Sequence, residues 1–328
     1  MAVLVTGGAG YIGSHMVLEL LDIGETVVVL DDLSTGFRAT VPQDATFVTG
    51  DAGDEALVSR LIDEHRIDSI LHFAAKIVVP ESVADPLAYY FNNTVKSRAL
   101  IETAVRRGVK NFIFSSTATV YGDADVSPLH EGLRPWPINP YGRTKLMTEW
   151  MLEDTARAHG LRYVVLRYFN VAGADPKGRS GQSTPTATHL IKVAAQVALG
   201  QRSHLDVFGT DYPTPDGTCV RDYVQVNDLA RAHIVALDHL RRGGESTVMN
   251  CGYGHGSSVR EVVEVVKRVS GVDFEVRYGP RRGGDPATLV AQVDRIKGLG
   301  FVPRFDDLAV IVDQALRWER HLAERRAA

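Results

Sequence analysis

The turn Thr6-Gly7-Gly8-Ala9-Gly10-Tyr11-Ile12-Gly13 joins an apolar run, Ala2-Val3-Leu4-Val5, to the helix-like segment Ser14-His15-Met16-Val17-Leu18-Glu19-Leu20-Leu21. A strand, a glycine turn and a helix start, in that order, leave backbone N–H groups free at the positive end of a helix dipole, where a pyrophosphate can sit. The glycines are spaced G-x-x-G-x-x-G, not as the commoner G-x-G-x-x-G of dinucleotide folds. The next apolar run, Thr26-Val27-Val28-Val29-Leu30, is β-branched and ends in Asp31-Asp32. Asp31 stands close to the roughly 20 residues past the glycines where a carboxylate can accept from the adenosine ribose hydroxyls. A carboxylate there repels a 2′-phosphate, so the reading is NAD rather than NADP.

Beyond that unit, β-branched runs at 3–6, 27–30, 46–49, 69–73, 112–115 and 163–167 alternate with amphipathic segments at 11–23, 54–65, 86–107 and 141–159. Such alternation predicts an α/β fold: a Rossmann-type doubly wound parallel sheet, whose ligands lie beyond the carboxyl ends of the strands. The alternation fails after about Asn170. Residues 174–188 and 209–217 are polar, Gly/Pro-rich and read as loops over a site, which suggests a smaller C-terminal α/β lobe for the substrate. The expected division is 1–168, with part of 220–252, for the dinucleotide domain, and 169–219 with 253–328 for the lobe. Gly252-Tyr253-Gly254-His255-Gly256 reads as a turn, with Ser257 or Ser258 capping a helix over 259–269. Residues 306–322 carry one apolar helical stripe and read as core packing.

Composition narrows the class. The 328 residues suffice for one large or two modest domains, and 45% apolar with 23% charged residues is ordinary globular usage. A net charge of −4 without a long basic block excludes a nucleic-acid partner. No apolar run approaches the ~18 residues of a membrane span. The chain starts on a strand, with no basic leader, which predicts no secretory signal. Cys219 and Cys251 have neither metal nor redox spacing, and a reducing cytoplasm fits them. The histidines show no paired-ligand pattern, so no metal is expected.

Tyr141-Gly142-Arg143-Thr144-Lys145 follows Pro140, a residue that favours a helix start. Residues four apart share a helical face, so the phenol and the ammonium can point to one place. A phenol is a poor base near pH 7; a neighbouring cation stabilises the phenolate and lowers its pKa. A shift of about 3 units, about 4 kcal/mol, would poise Tyr141 as a general base, with Lys145 and a nicotinamide cation as its source. The strand ending Ser115-Ser116-Thr117 precedes this helix and can bring a hydroxyl to the tyrosine.

With Ser115-Ser116-Thr117-Ala118-Thr119-Val120-Tyr121-Gly122 and the Tyr141/Lys145 pair, the chain resembles the extended short-chain dehydrogenase/reductase family. Asp31 to Gly36, Asn139-Pro140-Tyr141-Gly142, Arg167-Tyr168-Phe169-Asn170, Asp211-Tyr212-Pro213-Thr214-Pro215-Asp216-Gly217, Val220-Arg221-Asp222-Tyr223 and Pro280-Arg281-Arg282-Gly283-Gly284-Asp285 are similar to its UDP-sugar 4-epimerases. The resemblance implies a tightly held NAD, oxidation of the sugar at C4, rotation of the 4-keto sugar and return of the hydride to its other face, with UDP-glucose and UDP-galactose as the pair. It makes Tyr141 the base, Lys145 its partner on the nicotinamide ribose, and Thr117 a bridge to the sugar oxygen. It assigns NAD contacts to Gly7, Gly10, Tyr11, Ile12, Gly13, Asp31, Asp32, Leu33, Ser34, Thr35, Gly36, Asp51, Ala52, Phe73, Ala74, Ala75, Asn92, Ser115, Tyr141, Lys145 and Phe169. It assigns the UDP-sugar to Thr117, Tyr141, Asn170, His189, Phe208, Arg221, Arg282, Asp285 and Leu289. Forked guanidinium groups suit the diphosphate.

Some positions depart from the pattern. Ile77 stands where many members have a lysine, with Lys76 before it. His189 stands where an asparagine often contacts the nucleotide. Leu289 stands where a tyrosine or a cysteine helps decide whether an N-acetylated sugar fits, so UDP-N-acetylhexosamines, with UDP-pentoses and UDP-uronic acids, stay open as substrates. Ala118-Thr119 replaces the Asp-Glu pair of a 4,6-dehydratase. The family commonly pairs as a homodimer through the helices at 86–107 and 141–159.

Overall fold

Seven parallel strands form the central sheet of the computed structural model, which describes residues 1–124, 126–185, 188–283 and 285–327. In chain order they are β1 (Ala2–Thr6), β2 (Thr26–Asp31), β3 (Thr46–Thr49), β4 (Ile67–His72), β5 (Asn111–Thr117), β6 (Arg162–Tyr168) and β7 (Thr247–Cys251). Across the sheet they run β7-β6-β5-β4-β1-β2-β3. The order reverses beside β1, and the glycine turn leaves β1 at that switch point. Strands buried on both faces need near-continuous apolar runs, and β1 (AVLVT) and β2 (TVVVLD) supply them. Their side chains divide alternately between two cores. Val3, Val5, Val27 and Val29 face one, with Met16 and Leu20; Ala2, Leu4, Val28 and Leu30 face the other, with Val58, Leu61 and Leu100.

The predicted strands and helices fall within a residue or two of the observed ones, except over 306–322, where the helix runs Leu308–Ala327, and over 86–107. That segment begins as helix Pro86–Tyr89, widens to a π-helical turn at Tyr90–Val95 and resumes as helix Lys96–Arg106. A π turn admits one extra residue per turn, a change of pitch that apolar periodicity does not register, and such turns often sit at functional sites. β7, supplied from beyond the second loop, pairs in register with β6. Helix Val226–Arg241 precedes it and packs against helix Tyr11–Asp22, β5 and β6.

Among the remaining described residues there are three small sheets: Asn170–Ala172 with Tyr223–Gln225, Leu205–Phe208 with Val276–Gly279, and Val220–Arg221 between Ser257–Ser258 and Thr288–Leu289. Helices Leu190–Ala198, Val259–Ser270 and Leu308–Ala327 pack on one another beside them. Ser258, not Ser257, caps Val259–Ser270, in a reciprocal box with Glu261. The predicted loop over 174–188 is fastened down rather than free. Ser180 meets Ser14 Oγ at 2.7 Å and His15 Nε2 at 3.1 Å, and Arg179 forks onto Asp22 and Asp175. Thr186 and Ala187 of that loop, and Gly284 of the later motif, lie outside the described residues.

Candidate active site

The glycine turn is closed to anything but glycine at two points. Gly7 has φ +72°, and a Cβ there would lie 2.5 Å from Ala74 N; a Cβ on Gly13 would lie 2.1 Å from Gly7 O. Without side chains, β1, the first helical turn and the Phe73-Ala74-Ala75 segment touch, and Gly10 caps helix Tyr11–Asp22 with no side chain over its N–H groups. That is the cradle a pyrophosphate requires, and the residues present fit NAD. Asp31, 7% exposed, accepts Ala9 N at 2.9 Å and Leu33 N at 2.8 Å. Burial raises its pKa, against the two N–H donors that lower it. Each oxygen keeps a lone pair for a ribose hydroxyl, so the acid shapes the turn as well as facing the ligand. Exposed Asp32 is held by Ser34 through N and Oγ. Thr35 and Gly36 continue the loop, where a Cβ on Gly36 would lie 2.9 Å from Ala9. Asp51 accepts Gly53 N at 2.8 Å and pairs with Lys96 at 2.6 Å, next to Ala52. Tyr11 donates to Gly173 O at 2.8 Å, tying the first helix to the chain beyond β6, while Ile12 packs partly buried on the core.

The catalytic helix is Pro140–His159, capped by Asn139 Oδ1 on Gly142 N at 2.9 Å. Tyr141 and Lys145 are both buried on its inner face. Lys145 Nζ donates to Ser115 O at 2.8 Å and lies 4.9 Å from the Phe114 ring centre. The expected shift has two sources, Lys145 and a nicotinamide cation, and the protein's own groups do not supply it by themselves. Burial pushes Tyr141 up to about 12, and only the Thr117 hydroxyl works the other way. Burial also pulls Lys145 down to about 7, opposed by Glu149. One Lys145 N–H is given to the Ser115 carbonyl, and the protein's own groups leave the phenol above its ordinary pKa.

Asn92 donates to Asn93 Oδ1, and it is buried Asn93 that does the anchoring. Asn93 bonds Lys76 N at 2.8 Å, Lys76 O at 2.9 Å and Thr144 Oγ1 at 3.1 Å, locking the chain after Ala75 to the catalytic helix. The π turn supplies it. Lys76 is thus fixed through its backbone, and Ile77 is exposed. Phe169 follows Tyr168, and Phe169 N donates to Cys251 O at 3.2 Å.

The proposed UDP-sugar residues converge on the strand Val220–Arg221. Leu289 pairs with Arg221, and Arg221 Nη2 is 3.9 Å from Asp285. The Arg282 guanidinium lies 3.9 Å over the Phe208 ring. Asn170 N donates to Asp222 O at 2.9 Å, and Asp222 N to Leu289 O at 3.0 Å. Leu129 exchanges backbone bonds with the chain after Leu289, at Val290 O (2.8 Å) and Gln292 N (2.7 Å), which ties this pocket to the segment following Thr117. His189 meets Gln182 Nε2 at 2.9 Å and lines a small cavity together with Asn170, Tyr223 and Trp318. Asp222 was not singled out from the sequence. Its buried carboxylate takes N–H groups from Tyr253, Gly254 and Ala291, and the charged residue in the block Val220-Arg221-Asp222-Tyr223 was the available signal.

A switch-point glycine cradle and a buried Tyr/Lys helix define a dinucleotide-dependent enzyme acting on a diphosphate ligand. Comparison with known proteins is more specific. Residues 3–252 match the model of the NAD dependent epimerase/dehydratase family, and the chain belongs to that family. The UDP-glucose 4-epimerase of Azospirillum brasilense is 57% identical over 323 residues, covering 98% of this chain and 93% of the relative. A crystal structure of UDP-glucose 4-epimerase from Brucella ovis in complex with NAD superposes with TM-score 0.93 at 44% identity, covering 96% and 97% of the two chains. The UDP-Glc/GlcNAc 4-epimerase of Campylobacter jejuni matches with TM-score 0.86 at 46% identity, over 98% and 99%. Among the described residues no helix is long and apolar enough to cross a membrane, and no cluster of acids, histidines and cysteines is arranged to hold a metal.

Proposed function

We propose that this protein interconverts UDP-glucose and UDP-galactose by oxidation and re-reduction at C4. The observation that carries the reading is the meeting of Tyr141, Lys145 and Thr117 at the carboxyl edge of the sheet, with Leu289, paired to Arg221, next to the chain that Leu129 ties to the segment after Thr117. Bound NAD supplies the hydride acceptor and, afterwards, the donor. Tyr141 takes the proton of the sugar 4-hydroxyl and returns it. Thr117 orients that hydroxyl through its contact with the phenol. Lys145, held by Ser115 O, places a cation beside the nicotinamide ribose. Arg221 and Arg282 hold the diphosphate, leaving the sugar free to turn about its link to it. The test is to incubate the purified protein with UDP-galactose and no added NAD, and look for UDP-glucose. Absence of turnover across UDP-hexoses would refute the reading.

Half-buried Leu289 is smaller than tyrosine and larger than cysteine, which supports slow turnover of UDP-N-acetylglucosamine as a second activity. Side-by-side assays with UDP-glucose, UDP-N-acetylglucosamine and UDP-xylose test it. Equal turnover of plain and acetylated sugars, or none of the latter, would overturn it. The working unit is a homodimer: Leu87 (78% exposed), Phe91 (59%) and Val95 (50%) recur every four residues beside Trp150 (54%) on the adjoining catalytic helix, an apolar face suited to a second copy. A reducing cytoplasm suits the buried free thiols Cys219 and Cys251.

A further inference from the structure

Four residues down the catalytic helix from Lys145 lies a second buried charge, Glu149, which the mechanism above does not use. Its carboxylate takes Nε and Nη2 of Arg167 at 3.1 and 2.6 Å and the Ser116 hydroxyl at 2.5 Å. All three residues are 5% exposed or less. Ser116 stands between Ser115 and Thr117 on β5, and Arg167 precedes Tyr168 and Phe169 on β6. One carboxylate therefore joins the catalytic helix to the two strands whose ends carry the rest of the site. Arg167 also lies 4.8 Å over the Tyr121 ring, which holds the guanidinium from the 3-10 turn that follows β5.

A buried ion pair adds little to net stability when its desolvation cost is counted, so its presence calls for another use. Here the use lies one helical turn away. Residues i and i+4 are neighbours on a helix, and Lys145 has no carboxylate of its own, only the Ser115 carbonyl and the Phe114 ring. The groups around Lys145 can be named element by element. Its own helix brings Tyr141 and Glu149. β4 brings His72, held neutral by burial and by Lys145 itself, with a pKa of about 3. β5 brings the Ser115 carbonyl and the Phe114 ring. β6 brings Arg167 and the Tyr168 phenol. The Tyr90–Val95 turn brings the uncharged Asn93, at Thr144. Among these the one negative charge is Glu149.

We propose that Glu149 is a positioning residue for the reaction: with Arg167 and Ser116 it fixes the Tyr141/Lys145 helix against β5 and β6, and it sets a carboxylate one helical turn from Lys145. The proposal rests on the epimerase reading for its kinetic arm only; the titration arm reads Lys145 directly and stands without it.

The experiment compares Glu149→Gln and Glu149→Asp with the wild-type holoenzyme. The Lys145 side chain is followed by NMR of 13C-labelled lysine through a pH titration, assigned with Lys145→Met. Glu149 raises the lysine pKa and burial lowers it to about 7, so removing the charge moves the midpoint down. Glu149→Gln is expected to lower it by about one unit and to cut kcat at pH 7.5 about tenfold, with KM for UDP-galactose within twofold. Glu149→Asp keeps the charge and is expected to restore the midpoint to within about 0.3 units while kcat stays reduced. A Lys145 midpoint unmoved in Glu149→Gln, or moved equally in both variants, overturns the proposal. Ser116→Ala leaves the ion pair intact and serves if Glu149→Gln does not fold. It is expected to lower kcat about threefold at constant KM, and an unchanged kcat would count against the positioning role.

Discussion

Gly13→Ala tests the cofactor cradle most directly. The added methyl would sit 2.1 Å from Gly7 O and 2.8 Å from both Gly7 C and Gly8 Cα. Ordinary contact begins at about 3.4 Å, so the turn must open by more than an ångström at its tightest point. It has nowhere to go. Gly7 N is bonded to Leu30 O at 2.9 Å, Gly10 N to Gly7 O at 3.1 Å, and Gly7 is pressed on Ala74 from the other side. Overpacking of this kind costs about 1–3 kcal/mol. Misaiming one or two N–H donors at a pyrophosphate adds about 1 kcal/mol each. The overpacking lowers the melting temperature, and at 1.4 kcal/mol per tenfold the misaimed donors lower NAD affinity about tenfold. The assay is NAD retained per chain after desalting, beside thermal unfolding with and without added NAD. Gly298→Ala is the control. No atom lies within 4 Å of its added methyl, and the residue ends helix Asp294–Gly298, so its melting temperature and NAD content should match wild type. Full NAD retention and an unchanged melt in Gly13→Ala would refute the cradle reading.

Tyr141→Phe should lose about a thousandfold in turnover while keeping NAD and UDP binding, the scale of a lost general base; near-normal turnover would remove Tyr141 from the mechanism. Stability should fall on acidification. His15, His72 and His233 are buried, and their pKa values are lowered from 6.5 to about 4, 3 and 4. The unfolded chain then binds more protons between those values and pH 6.5, so their contribution is complete above pH 6.5 and is lost as pH falls toward 3–4. Urea midpoints measured from pH 7.5 to 4.5 should drop steadily below 6.5, and a flat profile would contradict the burial. If the proposed dimer forms on this face, Phe91→Glu with Trp150→Glu should halve the mass seen for wild type by light scattering; a dimeric wild type with an unaltered double variant would place the interface elsewhere.

Pattern alone carried much of this fold. The glycine turn after a β-branched strand, and the alternation that followed it, were enough to predict a parallel doubly wound sheet, because backbone geometry and apolar period are local properties. The same locality explains Ser258 as a cap and Tyr141 with Lys145 on one helical face. Side-chain partners set by distant chain were not legible. Asn93, offered by a π turn, had no signal beyond its neighbour Asn92. Asp222 binds N–H groups from residues 253, 254 and 291. Spacing put Lys145 near Tyr141, but only packing decided that both side chains are buried and that a Lys145 N–H goes to the Ser115 carbonyl.

Sequence by itself determined that a glycine cradle would follow β1, since that requires only glycines and a helix start within one stretch of chain. Tertiary structure decided the rest of the site. It brought Ser116, Glu149 and Arg167 together from one helix and two strands, and it brought Arg221, Leu289 and Asp285 together from segments some seventy residues apart. Burial then set the charge that each group carries, and burial is a property of the assembled fold that no short stretch of residues contains.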